Sequence, residues 1–282
     1  MGSITDPGLL AIAQVSRSCA AGASAPTPSD RFTAEAILTV HAWAPTLFSL
    51  RTSRYRGFRF TPGQFARLGI AREDGSIVWR AYSIASASYD EHLEFFSVVI
   101  PGGEFTSRLA SFRPGDRILV DKTSYGYLTT ARFVGGRDLW MLSSGTGLAP
   151  FLSILRDPSV WEQYENLIVV HSARHAGELA YRDEIAAVAR GEPYAGQRAR
   201  LHYVPVVTRE CCPDALVARI PQLIEDGRLE AAAGIRLDVE RSRIMVCGNP
   251  QMTDDLRGLL TARGFRVSRR ANPGQLAFEN YW

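Results

Sequence analysis

Cysteine is scarce in this chain: four in 282 residues, at Cys19, Cys211, Cys212 and Cys247. They form no C-x-x-C pair and no other spacing that holds zinc or an iron–sulfur cluster, so no metal centre is expected. Adjacent Cys211 and Cys212 are able to oxidise, although two reduced thiols are the commoner state of such a pair. So few cysteines point to a reducing, cytoplasmic compartment. Lysine is scarcer still, with Lys122 the only one among 32 basic residues. Arginine recognises phosphate and carboxylate through a planar fork, but so uniform a bias is explained more simply by genomic base composition. The formal net charge of +3 is too small for a nucleic-acid binder, which carries a dense basic stripe. A long apolar run is missing too, since no stretch reaches the roughly 18 uncharged apolar residues of a membrane span.

What is present is the composition of a globular protein, 46% hydrophobic and 22% charged. The length suits two domains of ordinary size. Residues 1–30 are rich in Ala, Ser, Gly and Pro, without the basic start or sustained apolar segment of a secretory signal. Arg17 and several serines leave an organelle-targeting reading open, Asp6 counts against it, and a poorly ordered extension is expected. Residues 31–135 read as short β segments, Ala34–Val40, Leu47–Arg51, Gln64–Gly69, Trp79–Ala85, Leu93–Ile100 and Arg117–Asp121. Pro62-Gly63, Pro101-Gly102-Gly103 and Pro114-Gly115 punctuate them, which predicts a small antiparallel barrel or sandwich. In residues 136–282 the apolar runs Leu139–Ser143, Leu167–His171, His202–Val207 and Ile244–Cys247 alternate with amphipathic segments such as Phe151–Leu155 and Arg182–Ala189. That alternation predicts a parallel sheet covered by helices. The fold class is an antiparallel β domain followed by a nucleotide-binding α/β domain.

Five segments carry chemistry. Arg80-Ala81-Tyr82-Ser83 sets a cation, a ring and a hydroxyl together; on a strand Arg80 and Tyr82 share a face, while Ser83 points the other way or turns at the strand end. The set suits a flavin nucleotide, and an Arg and a Tyr decorating a surface strand account for it as well. Val98-Val99-Ile100-Pro101-Gly102-Gly103-Glu104-Phe105-Thr106-Ser107 breaks a β run into a glycine pair and a helix start. Backbone amides there, with Thr106 and Ser107, suit a pyrophosphate; an ordinary capped helix explains the hydroxyls but not the glycines. Ser143-Ser144-Gly145-Thr146-Gly147-Leu148-Ala149-Pro150 follows a strand and opens a helix, the setting in which amides approach a dinucleotide. Pro150 replaces the third glycine of G-x-G-x-x-G, and a tight turn without a ligand remains open. Cys247-Gly248-Asn249-Pro250 brings a thiol to a strand end as nucleophile, packing residue or wall for a flat ring; no evident base activates it. The final aromatic pair, Tyr281 and Trp282, needs a surface to pack on, either a cofactor ring or a hydrophobic groove.

R-x-Y-S, G-G-x-x-T-S, G-T-G-x-x-P, C-G-N-P and E-x-Y-W, in this order over residues 32–282, resemble the ferredoxin–NADP(+) reductase family, closest to its bacterial branch with the flavodoxin reductases. The resemblance implies non-covalent FAD and NADP(H), with electrons from NADPH leaving the flavin singly to a small acidic ferredoxin or flavodoxin. It implies an FAD site of Arg80, Ala81, Tyr82, Ser83, Val98, Val99, Ile100, Phe105, Thr106, Ser107, Thr146, Tyr281 and Trp282. Within that site Arg80 meets the pyrophosphate, Tyr82 and Tyr281 cover the two flavin faces, Ser83 bonds flavin N5, and Trp282 packs near the adenine. For NADP(H) it implies Gly145, Thr146, Gly147, Cys247, Gly248 and Asn249, with Arg174, Thr208, Arg209 and Arg219 where the family holds the 2′-phosphate. Ser83, Cys247, Glu279 and Tyr281 are the implied catalytic residues. Arg51, Arg54, Arg56 and Arg59, or Arg263, Arg266, Arg269 and Arg270, are placed to steer an acidic partner. A monomer is expected, with neither nucleic acid nor membrane as partner. The extension before Phe32 departs from the family's short start, and Thr123–Thr130, with Tyr125 and Tyr127, aligns poorly. Two alternatives stand beside this reading: an FAD-binding regulatory or interaction module without turnover, and the reductase component of an oxygenase system.

Overall fold

The computed structural model describes residues 31–190 and 196–280. The expected extension at residues 1–30 and the aromatic pair Tyr281 and Trp282 lie outside the described residues. Those up to Phe60, with Phe65–Tyr125, form one compact unit; Thr61–Gln64 and those from Gly126 onward form the other.

The first unit is a six-stranded sheet built from β1 (Phe32–Ala44), β2 (Leu47–Ser53), β3 (Phe65–Ala71), β4 (Ile77–Ser83), β5 (His92–Val98) and β6 (Arg117–Asp121). Its order is β4-β3-β6-β1-β2-β5, every neighbouring pair antiparallel. An isolated bridge between Ile84 and Phe95 joins the end of β4 to β5, so the two edge strands meet and the sheet closes toward a barrel. Phe48, Leu50, Phe58, Leu68, Phe95 and Ile118 fill its core. Each such side chain contributes about 1.5–3 kcal/mol relative to exposure. Helix α1 (Glu104–Ser111) buries Phe105 and Leu109 in the same core. Strand β5 stops at Val98 rather than Ile100, because the Val99 amide bonds the Thr46 carbonyl (2.7 Å) and Pro101 has no amide to give.

The second unit is wholly parallel. Strands β7 (Asp138–Ser144), β8 (Asn166–Ala173), β9 (Arg200–Val207), β10 (Leu216–Val217), β11 (Ser242–Gly248) and β12 (Leu276–Asn280) stand in the order β10-β9-β8-β7-β11-β12. Strands such as LIVV in β8 and RIMVCG in β11 are buried throughout, as a sheet covered on both faces requires. Helices α2 (Ala149–Leu155), α3 (Pro158–Gln163), α4 (Arg182–Ala189), α5 (Ile220–Glu225), α6 (Arg228–Ala233) and α7 (Pro250–Ala262) accompany it. The chain steps outward from β7 to β10 and then returns to β11 on the other side of β7. The order therefore reverses between β7 and β11, the place where open α/β sheets collect ligands at their carboxyl ends. One helix corrects the sequence reading: Phe151–Leu155 was expected to be amphipathic, yet every residue of α2 is buried. Its sequence APFLSIL offers no charged face to solvent.

Among the described residues no helix is long and apolar enough to cross a membrane. No group of three or more His, Cys, Asp or Glu is placed to hold a metal ion among them.

Candidate functional site

In the β unit, Arg80-Ala81-Tyr82-Ser83 closes strand β4, where Ala66 and Phe65 of β3 face Tyr82 and Ser83. Tyr82 is half-buried; its ring lies 5.7 Å from that of Phe105 and edge-on to Phe95 at 6.4 Å, and its hydroxyl meets Ser97 Oγ at 3.2 Å. Burial raises the phenol pKa above its ordinary value, so the ring is a neutral platform. Ser83 is only 7% exposed, and its hydroxyl makes no hydrogen bond with the described residues. A hydroxyl that no described residue engages is able to donate to or accept from a ligand. Arg80 and Ala81 are exposed, and one guanidinium nitrogen of Arg80 donates to the Trp79 carbonyl (2.8 Å).

The segment after Val98 is folded by its own hydroxyl. Thr106 Oγ1 accepts from the Ile100 amide (3.0 Å), which leaves the hydroxyl proton free to donate. Gly102 turns the chain at φ +72°, and a Cβ on Gly103 would lie 2.8 Å from Thr106 Oγ1 and 3.0 Å from the Ile100 carbonyl. The first amides of α1 have no acceptor within the helix, and Gly103 provides no side-chain cap, so those of Glu104 and Phe105 suit an anion. The Ser107 amide is already committed to the Gly103 carbonyl (3.1 Å). Ring, cation, free amides and the Ser83 hydroxyl together form a set that fits a flavin dinucleotide.

In the α/β unit, β7 delivers Ser143 and Ser144 to a single 3-10 turn, Gly145–Leu148, beside the point of strand reversal. Two glycines let this turn lie backbone-on-backbone against the end of β11. A Cβ on Gly147 would stand 2.3 Å from the Cys247 carbonyl oxygen and 2.7 Å from Gly248 Cα. A Cβ on Gly248, whose φ is +141°, would stand 2.3 Å from Ser144 Oγ. That same Oγ accepts from the Asn249 amide (2.9 Å), while Asn249 Oδ1 caps α7 through the Met252 amide (3.2 Å). Cys247 is fully buried and pairs in register with Ser143 on one side and Glu279 on the other. Burial first, and the charge of Glu279 second, push its thiol well above the ordinary range. Cys247 is therefore held as a thiol, which removes the nucleophile reading and leaves a packing residue or a wall for a flat ring.

Arg174 follows β8, Thr208 and Arg209 follow β9, and Arg219 stands two residues beyond β10. These are three adjacent parallel strands, so the fold brings the three arginines to one edge. The Arg209 amide donates to the Arg174 carbonyl (3.0 Å), and Thr208 donates to the Ala173 carbonyl through its amide (3.1 Å) and hydroxyl (3.2 Å). All three arginines are exposed, and none forms an ion pair with the described residues. The nearby carboxylates are engaged elsewhere. Glu178 accepts from the Arg174 amide (3.0 Å), and Glu210 accepts from the Ala176 amide (2.6 Å) and meets His175 Nδ1 at 3.2 Å. Three guanidinium groups left open at one sheet edge suit a phosphate dianion.

Sequence reading missed two supporting residues. Ser97, which holds Tyr82, carries no signal within the buried strand HLEFFSV; Ser144, which holds Asn249, lies in the quoted glycine segment without a role assigned. The Arg51–Arg59 cluster is also not the free patch its spacing suggests. Arg51 pairs with Glu94 (3.1 Å), and Arg54 donates to the carbonyls of Asp90 (2.7 Å), Ser88 and Phe58 (2.9 Å each). The second cluster is exposed throughout; Arg263 donates to the Ile224 carbonyl (2.7 Å) and pairs with Glu230 (3.6 Å), whereas Arg266, Arg269 and Arg270 form no ion pair with the described residues.

Residues 40–128 match the family described as oxidoreductase FAD-binding domain, and residues 141–258 match the oxidoreductase NAD-binding domain. The chain is 41% identical over 249 residues to a ferredoxin–NADP reductase of Pseudomonas aeruginosa, an alignment covering 87% of this chain and 95% of that one. It is 37% identical over 247 residues to a flavodoxin/ferredoxin–NADP reductase of Escherichia coli, covering 87% and 97%. A ferredoxin NADP(+) reductase from Neisseria gonorrhoeae, solved with bound FAD and NADP, superposes with a TM-score of 0.85 at 38% identity, covering 90% of this chain and all of that one. Relatives this similar over nearly their whole length, together with both domain matches, place the chain in the ferredoxin/flavodoxin–NADP reductase family.

Proposed function

We infer that this protein is an FAD-dependent oxidoreductase that takes reducing equivalents from NADPH and delivers them one at a time to ferredoxin or flavodoxin. The observation that carries this reading is that one chain holds a flavin-type donor set and a glycine turn at the strand reversal, with three arginines beside it that form no ion pair with the described residues. FAD, when bound, supplies the chemistry that converts a two-electron hydride into two single-electron transfers.

The residues divide the work. Tyr82 offers one flavin face a neutral ring backed by Phe105, and Ser83 offers a buried hydroxyl to N5. Arg80, Ala81, Val98, Val99, Ile100 and the start of α1, Phe105 to Ser107, hold the dinucleotide. Gly145, Thr146 and Gly147 with Gly248 and Asn249 hold the nicotinamide nucleotide, Cys247 walls its ring, and Arg174, Thr208, Arg209 and Arg219 select the 2′-phosphate. Glu279, beside Cys247 in register, handles the proton balance of the flavin. Tyr281 covers the other flavin face and yields to nicotinamide, and Trp282 packs by the adenine. Residues 31–135 serve as the flavin domain and 136–282 as the nucleotide domain.

The acceptor is a small acidic protein met by Arg266, Arg269 and Arg270, which are exposed and form no ion pair with the described residues. The enzyme acts as a cytoplasmic monomer, with neither nucleic acid nor membrane among its partners. The test is an anaerobic titration of the purified protein with NADPH and then NADH. Flavin bands bleached preferentially by NADPH are the expected result; a colourless protein, or a flavin that neither nucleotide reduces, would sink the reading.

A further inference from the structure

The adjacent thiols Cys211 and Cys212 take no part in the chemistry above, yet they lie in the segment that leads from Arg209 to β10. Cys211 is exposed and Cys212 is half-buried, both in the free form. Cys212 packs with Ala173, Leu179 and Val207, beside Ala176 and Ala215. Neighbouring side chains of an extended chain point to opposite sides, and Pro213 holds Cys212 extended. The reduced pair thus points apart, one sulfur to solvent and one into a small apolar cluster.

That cluster underlies the phosphate-seeking edge. Ala173 accepts both bonds from Thr208, the Ala176 amide holds Glu210, and the Arg209 amide is tied to the Arg174 carbonyl. We propose that Cys211 and Cys212 are a reversible thiol–disulfide site whose oxidation lowers the affinity for NADPH; this rests on the assignment of Arg174, Arg209 and Arg219 to the 2′-phosphate. The oxidant is a low-molecular-weight disulfide. The exposed Cys211 thiolate attacks one sulfur of that disulfide, forming a mixed disulfide and releasing one thiolate. The Cys212 thiolate then attacks Cys211 Sγ, closes the Cys211–Cys212 bond and releases the second thiolate. Two electrons pass to the small disulfide, and the two protein thiol protons go to solvent.

Closure must draw Cys212 out of the apolar cluster and bend the backbone next to Arg209. Adjacent Cα atoms stand about 3.8 Å apart, below the roughly 4.4–6.8 Å of ordinary disulfides, so the ring is strained and readily reduced. The change is therefore a reversible one, unlike a structural crosslink. Cys247 does not compete, being fully buried.

The holoenzyme, carrying Cys19→Ser so that no third thiol interferes, is equilibrated with glutathione disulfide and glutathione over a range of ratios. Peptide mass spectrometry then follows the thiols, flavin difference spectra give NADP(+) affinity, and steady-state rates are taken with NADPH and NADH. The peptide containing Cys211 and Cys212 is expected to lose two hydrogens while NADP(+) affinity falls about tenfold, equivalent to about 1.4 kcal/mol. The KM for NADH should not move, and dithiothreitol should restore the parent values. Cys211→Ser should abolish both changes, and Cys212→Ser should stop the reaction at the mixed disulfide. A peptide that stays a dithiol, or one that oxidises with NADP(+) affinity unchanged, overturns the proposal. Arg209→Ala in the reduced enzyme separates the two readings. If it weakens NADP(+) while oxidation does not, only the redox proposal fails; if it has no effect, the phosphate assignment fails and the proposal with it.

Discussion

Gly147→Ala tests the cradle most directly, because the conflict it creates is with backbone on a buried strand. The new Cβ would lie 2.3 Å from the Cys247 carbonyl oxygen and 2.6 Å from its carbon. Ordinary contact begins near 3.4 Å, so the turn must retreat by about 1.1 Å, the difference between the two distances. Neither side yields easily, since β11 is hydrogen-bonded between β7 and β12 and the turn is tied to buried α2. Overpacking of this kind costs about 1–3 kcal/mol, and at roughly 2–4 °C per kcal/mol the melting temperature should fall by several degrees. The catalytic consequence is larger, because a displacement of about 1 Å in a positioning element can cost about a hundredfold in rate.

The assay is stopped-flow bleaching of the bound flavin by NADPH, with thermal melting on the same sample. Flavin content should be that of the parent, because the residues assigned to the FAD pyrophosphate lie in the β unit. Gly145→Ala is the control. Its Cβ would meet nothing within 4 Å, and its cost is only the strain of φ +53° in a non-glycine residue, about 1–2 kcal/mol. Gly145→Ala should therefore lose some stability but keep a much larger share of the hydride-transfer rate. A Gly147→Ala enzyme reduced within twofold of the parent rate would refute the argument that the turn must touch β11.

Arg209→Ala combined with Arg219→Ala should raise the KM for NADPH by about tenfold or more, since each charged hydrogen bond contributes about 1.5–3 kcal/mol, and spare that for NADH; equal losses for both nucleotides would contradict the assignment. Tyr281→Ser should tighten nicotinamide binding and relax the preference for NADPH, and unchanged affinities for NADP(+) and NAD(+) would remove its covering role. His171 is fully buried, its Nδ1 is 3.3 Å from the Tyr203 hydroxyl, and burial lowers its pKa from 6.5 to about 4. A pKa depressed on folding gives stability that is present above 6.5 and lost as pH falls toward 4, about 2 kcal/mol of it by pH 5. Urea unfolding at pH 7 and pH 5 should show that loss in the parent and not in His171→Gln; equal losses would rule it out. Arg269→Ser with Arg270→Ser should slow ferredoxin reduction at low ionic strength and leave ferricyanide reduction unchanged, and a ferredoxin rate that does not respond would move the docking surface elsewhere.

Much of the architecture was legible because its signals are local. Proline–glycine pairs mark the ends of the barrel strands, and the β7 segment passes into its glycine turn within a dozen residues. What escaped reading depends on approach between distant segments. Nothing near Gly147 says that its missing side chain makes room for the carbonyl of Cys247, about a hundred positions away. Ser97 sits in a strand whose other residues are nearly all buried, and only the closure of the sheet puts its hydroxyl against Tyr82. Helix α2 follows the same rule: the five residues Phe151–Leu155 read as one face of an amphipathic helix until the elements that bury its other face are known.

The arginines give the sharpest case. In a chain with one lysine, arginine count and spacing cannot separate a structural guanidinium from a binding one, and the cluster at Arg51–Arg59 looks as inviting as the scattered set at Arg174, Arg209 and Arg219. The distinction lies in where the carboxylates and carbonyls are. Glu94 is buried on the strand beside Arg51 and takes its charge, and three carbonyls enclose the Arg54 guanidinium. At the nucleotide edge the carboxylates are turned to other donors. The Ala176 amide first, and His175 second, hold the Glu210 carboxyl below its ordinary pKa, so it stays charged and committed to that loop. An acid free to swing onto Arg209 would compete with the 2′-phosphate for the same guanidinium. Preference for NADPH on this reading depends as much on keeping Glu178 and Glu210 occupied as on supplying the arginines.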